Sequence, residues 1–144
     1  MFLSEPQPTQ YDVRFTLLGI PVIVNPWFWG LSVLLGFRLE TPVAIATWVF
    51  SVFVSILVHE FGHILGAKMV GWNPQRVILH SFGGLAVSHP STDNPYDKIW
   101  VSFAGPLAGF MLAVLVLVTL LPWGHVPVFY AGFPLETIVE GEWL

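Results

Sequence analysis

The sequence predicts a membrane α-helical protein: about three transmembrane helices, a short N-terminal strand region and a β-hairpin on the cytoplasmic side. Three observations predict it. The 144-residue chain is 55% hydrophobic and only 10% charged, whereas a soluble chain carries about 25% charged residues. No Asp, Glu, Lys or Arg lies between Glu40 and Glu60, nor from Ile99 to Leu135. Glycine and proline punctuate the β-rich stretches that flank the first of these runs. The length suits one domain. A net charge of −4 argues against nucleic acid as a partner. The lack of cysteine excludes disulfides and thiolate metal sites. The start, "MFLSEPQPTQYDVR", has neither the basic nor the apolar region of a signal peptide. The hydrophobic spans themselves are expected to direct insertion into the lipid bilayer.

Residues 1–25 read as a tail followed by strands. "VRFTLLGIPVIV" (13–24) is β-rich and is broken at Gly19 and Pro21, which suggests a short hairpin or an interfacial strand. Asn25-Pro26 marks a helix start, and helix 1 is expected over 26–40. Its apolar run, Trp27–Phe37, is short for a span of roughly 20 residues. It crosses a thinned bilayer or turns back, and crossing is the preferred reading. Pro42 opens helix 2, expected over 42–70 and stopped by Gly71 and Pro74. "RVILHSFGGLAVSH" (76–89) reads as a hairpin turning around Gly83-Gly84. Helix 3 is expected over 95–122, with a kink at Pro106, and 123–144 as a mixed tail.

Basic residues set the orientation. Lys68, Arg76 and Lys98 share one connection, Arg14 joins them if helix 1 crosses, and Arg38 lies opposite. The hairpin side is then cytoplasmic. A multi-pass integral membrane protein follows, in the inner membrane for a bacterial source. Trp27, Trp72, Trp100 and Trp123 fall near span ends, as an aromatic belt would place them.

Within helix 2 stands His59-Glu60-Phe61-Gly62-His63. Ionisable groups inside a span are costly and functional by default. The i, i+4 spacing puts both imidazoles on one helix face, within reach of one ion. Neutral histidines are natural ligands for zinc. Glu60, about 100° round the helix from His59, can act as general base toward a water. By chance these three letters recur in such a chain on the order of once in a few hundred, so a site is the better reading. Ser51, Ser55, Gly62 and Gly66 cluster beside the histidines on the helix wheel. Phe50, Leu57 and Phe61 point the other way, toward lipid. Gly62-x-x-x-Gly66 matches Gly105-Pro106-Leu-Ala-Gly109 in helix 3, which suggests that the two helices approach closely beside the metal. His80 is expected to be hydrogen-bonded in the hairpin. His80, His89 and His125 are isolated, so they do not make the several boxes of a di-iron oxygenase.

With "HEFGH" at 59–63, "FGG" at 82–84 and "AGPLAG" at 104–109, in that order and spacing, the chain resembles the site-2 protease family of intramembrane zinc metalloproteases. The resemblance covers most of 14–121. It implies peptide-bond hydrolysis by a zinc-activated water. His59 and His63 would bind Zn2+ and Glu60 would be the catalytic base. The hairpin residues Phe82, Gly83 and Gly84 would bind an unwound segment of a membrane-anchored protein substrate by strand addition. Proline at Ile78 or Ala86 would test that edge. Two departures stand out. The family's third ligand, in an Asp-Gly motif on a later helix, has no counterpart, since the aspartates are Asp12, Asp93 and Asp97. The chain therefore reads as the N-terminal portion of a longer protein, with further helices or another subunit supplying that ligand. Gly109 also stands where the family often has asparagine. The alternative is a non-catalytic, pseudoprotease-like membrane subunit that acts by binding a partner.

Overall fold

The computed structural model describes residues 9–39 and 41–120. Its elements run β1 (Val13–Leu17), β2 (Ile20–Val24), α1 (Pro26–Gly36), α2 (Pro42–Met69), β3 (Asn73–His80), β4 (Gly83–His89) and α3 (Pro95–Leu120). The expected tail at 123–144, with His125 and Trp123, lies outside the described residues.

Each helix begins on a side-chain cap followed by proline. Asn25 accepts from the Trp27 N–H at 3.0 Å, Thr41 from Ala44 at 3.1 Å, and Asn94 from Tyr96 at 3.1 Å. These oxygens satisfy donors that have no partner within the helix. Pro26, Pro42 and Pro95 open the helices, where the missing N–H costs nothing. α2 ends in a Schellman turn. Gly71 takes a positive φ of 76°, and the Trp72 N–H reaches back to the Ala67 carbonyl at 2.8 Å.

The strands form one four-stranded sheet in the order β1-β2-β3-β4. β1 and β2 are antiparallel around a turn at Leu18 (φ 50°) and Gly19 (φ 78°). These paired positive angles match the twist of a tight hairpin. β3 and β4 are also antiparallel, and their two-residue turn is Ser81-Phe82. It therefore falls before Gly83-Gly84, the expected turn, and both glycines lie in β4. β2 and β3 run parallel, with Val22 opposite Val77 and Val24 opposite Leu79. The N-terminal strands and the hairpin, expected as separate pieces, are thus one sheet. The pairing was not visible in the sequence because about fifty residues and two helices separate the partners, and a strand pattern carries no partner's address.

The core lies where this sheet meets the helices. Ile20, Val22, Val24, Phe28, Ile64, Val77 and Leu79 are buried together. Val22, Val24, Val77 and Leu79 are the largest fully buried side chains, each contributing about 1.5–3 kcal/mol. Leu57 and Phe61 pack against this cluster. That corrects the lipid-facing placement from the helix wheel, because the sheet covers that side of α2. Phe50 is exposed, and so are Ser51 and Ser55. On α1 the buried residues Phe28, Ser32 and Gly36 repeat every fourth position. The Trp48 indole N–H of α2 donates to the Ser32 carbonyl at 3.0 Å. At the N-terminus, hydrogen bonds from Thr9 hold the Asp12 carboxyl below the usual carboxylate range. Asp12 also accepts from Asn25 and faces Arg14.

α2 and α3 are long and apolar enough to cross a membrane. α1 stops at Gly36, short of the expected 40, and its 11 residues span only about 16 Å of a core of about 30 Å. α3 continues through Pro106 without a break in the helix. Its turns from Val114 onward form a separate unit. Trp27 and Trp100 are exposed, whereas the Trp72 indole nitrogen is buried with no hydrogen-bond partner.

Candidate metal centre

Helix periodicity brings His59 and His63 together as neighbours one turn apart. Their rings lie 4.9 Å apart at 77°, and their Nε2 atoms are 3.2 Å apart. A zinc ion about 2.0–2.1 Å from each of two nitrogens in tetrahedral geometry would set those nitrogens about 3.3 Å apart. The pair therefore fits two corners of a zinc site. His63 Nδ1 lies 2.7 Å from the Val101 carbonyl of α3. A carbonyl only accepts, so Nδ1 carries the proton and Nε2 presents its lone pair toward His59. Among the described residues no third His, Cys, Asp or Glu joins the pair.

Glu60 lies near this pair, with both imidazoles within electrostatic reach of its carboxyl. It is only 6% exposed and lies beneath β4. Its carboxyl group fills the place a Cβ on Gly84 would occupy, and the backbone N–H of Ala86 faces it. The two-residue turn makes His80–Gly83 a hydrogen-bonded pair, so by alternation Val77–Ala86 is not one, and the Ala86 N–H points to the edge of β4 that no described strand pairs. His80 shares this neighbourhood, and its Nδ1 accepts from the Phe82 N–H at 3.3 Å.

The small residues meet where α2 and α3 cross. A Cβ on Gly62 would fall 2.5 Å from the Ala104 carbonyl oxygen, and one on Gly66 would fall 2.6 Å from the Ala104 Cβ. Both are closer than real atoms approach, so glycine is required for this spacing. Gly105 lies against the His63 ring, and a Cβ there would overlap it. Gly109 lies beside His59, with 3.8 Å between a Cβ and Nδ1. Pro106 is exposed, so it stands outside the seam in which the sequence reading placed it. Phe82 is 91% exposed at the hairpin tip, and Gly83 follows it with φ 128°. Of the expected substrate residues, only Gly84 touches the site.

One position was missed by sequence reasoning. The Val101 carbonyl left no signal, because every residue carries one. Ala86 was named with Ile78 as a probe of the hairpin edge, but which of the two lies on an outer strand emerges only from the strand order.

The family model of Peptidase family M50 matches residues 47–140. A zinc metalloprotease of Methanocaldococcus jannaschii is 28% identical over 111 residues, covering 75% of this chain and 32% of its own. A Synechocystis protein bearing a zinc metalloprotease name is 32% identical over 110 residues, covering 67% and 29%. The solved site-2 protease from Methanocaldococcus jannaschii superposes with a TM-score of 0.61 at 25% identity, over 87% of this chain and 57% of that one. The chain belongs to Peptidase family M50, the family of the site-2 proteases. It spans about a third of the length of these curated relatives.

Proposed function

We propose that the chain carries the ligand pair, the general base and the substrate edge of an intramembrane zinc metalloprotease that cleaves a membrane-anchored protein. His59 and His63 would hold Zn2+ through Nε2, with a third ligand supplied from outside the described residues. Bound zinc supplies Lewis acidity and lowers the pKa of a water to about 7. The chain's own residues carry the rest. A substrate segment adds as a strand to the outer edge of β4, which lies directly over Glu60. Glu60 takes a proton from the attacking water as its oxygen bonds to the scissile carbonyl carbon. The carboxyl holds that proton and delivers it to the leaving nitrogen as the C–N bond breaks. Burial among α2 and β4 keeps bulk water from the carboxyl.

The single observation that carries this reading is the position of Glu60, buried between the histidine pair's helix and a strand edge that no described residue pairs. In the complete protein, Glu60→Gln is expected to lower cleavage of a membrane substrate by about 10²–10⁴-fold while zinc content stays at the wild-type level. Undiminished cleavage would refute the mechanism. A second reading, a non-catalytic member that binds a partner along β4, draws on the lack of a third ligand among the described residues. Zinc counted per folded chain separates the two. Stoichiometric metal lost in His59→Ala/His63→Ala supports the enzyme, and a metal-free folded protein supports the binding role.

A further inference from the structure

We propose that α3 is a positioning element for His63: the Val101 carbonyl fixes the tautomer of its imidazole, and the bare Cα of Gly105 gives the ring its place. This rests on the zinc reading of the histidine pair. The sequence places both histidines on α2 and says nothing of what orients them. An i, i+4 pair on a helix can rotate about its side-chain torsions, so spacing alone does not aim two lone pairs at one point. In the structure, α3 does this for one of the two. The 2.7 Å contact from Nδ1 to the Val101 carbonyl leaves Nε2 as the unprotonated nitrogen, 3.2 Å from its counterpart on His59. A carbonyl has two lone pairs, so Val101 can accept from His63 and still serve its helix. A hydrogen bond on the far nitrogen of a ligating histidine holds both ring orientation and tautomer.

The close approach that makes this contact possible is built from glycine on both sides. Gly66 admits Ala104 and brings the Val101 Cα to 3.4 Å of where its own Cβ would lie. Gly105 faces the ring itself, and the three atoms nearest a Cβ there are all His63 ring atoms. Relief of that overlap falls on the imidazole, the mobile end of a side chain, and not on backbone. Gly109, one turn on, is different. A Cβ there meets only His59 Nδ1 at an ordinary 3.8 Å. α3 thus clamps His63 and merely borders His59.

The test uses the full chain in detergent, with zinc affinity measured by chelator competition and histidine tautomers read by 15N NMR, the His63 signal being assigned by its loss in His63→Gln. Gly105→Ala is expected to weaken zinc binding about 10–100-fold and to remove the Nδ1–H signature of His63. Gly109→Ala is expected to change neither. Wild-type affinity in Gly105→Ala would overturn the proposal. So would an Nε2–H tautomer for His63 in the metal-free wild type, a result that needs no variant to fold. If the wild type binds no zinc, the zinc reading fails, and the positioning role is then decided by the tautomer alone.

Discussion

Gly84 acts through the atom it lacks. The Glu60 carboxyl occupies the volume of its missing Cβ, so Gly84→Ala must move either the carboxyl or strand β4. A displacement of about 1 Å at a reacting group costs on the order of 10²-fold in rate. We expect such a loss of cleavage in Gly84→Ala, with zinc content unchanged because the histidines are untouched. Normal cleavage in that variant would separate Glu60 from the chemistry. Gly83 makes the contrast, since nothing lies within 4 Å of a Cβ there and only its φ of 128° disfavours a side chain. At this scale the closeness of His59 and His63 was legible because helix periodicity maps sequence spacing directly onto distance. Gly84 was legible only as a member of a motif. Its partner is a side chain 24 positions earlier, brought there by the strand order, and no local spacing rule reaches that far.

The two edges of the sheet are unequal, and β4 is the one over the site. β3 is paired on both sides, by β2 and by β4, and Ile78 is buried within it at 6% exposure. The expectation that Ile78 probes an exposed edge is therefore corrected. Ile78→Pro should destabilise the sheet outright, since proline is tolerated on edge strands and not within a central one. Ala86→Pro should leave the fold standing and both raise KM and lower kcat for a membrane substrate, because the N–H it removes lies on the edge a substrate strand would use and also faces the Glu60 carboxyl. A thermal melt with both variants checks the first, and initial rates with Ala86→Pro check the second. An unchanged KM there would count against strand addition. The helices were readable from the sequence because their caps, prolines and apolar runs are local signals. The faces of α2 were misread in part, as Leu57 and Phe61 turn to the sheet. The wheel shows which residues share a side, and only the tertiary fold shows what covers that side.

Pairing of β2 with β3 constrains the whole molecule. Hydrogen-bonded strands lie on one side of a membrane, so the chain between Val24 and Asn73 must cross an even number of times. If α2 crosses, α1 with its flanking turn crosses too, however short. Arg14, Arg76 and Lys98 then share a side and Arg38 takes the other, in keeping with the basic-residue bias. The chain contains no cysteine, which allows a clean check by single substitutions at the exposed positions Thr16, Pro90 and Arg38. A membrane-impermeant thiol reagent should reach Thr16→Cys and Pro90→Cys from one face of sealed vesicles and Arg38→Cys from the other. Labelling of all three from a single face would mean that neither helix crosses. The same parallel pair also sets a clock during synthesis. β1 and β2 leave the ribosome about fifty residues before β3, and at roughly 5–20 residues per second their partner is several seconds away. Until then Val22 and Val24, fully buried in the folded protein, have no covering strand on one edge, and the first hairpin must wait while the two helices between the partners are made.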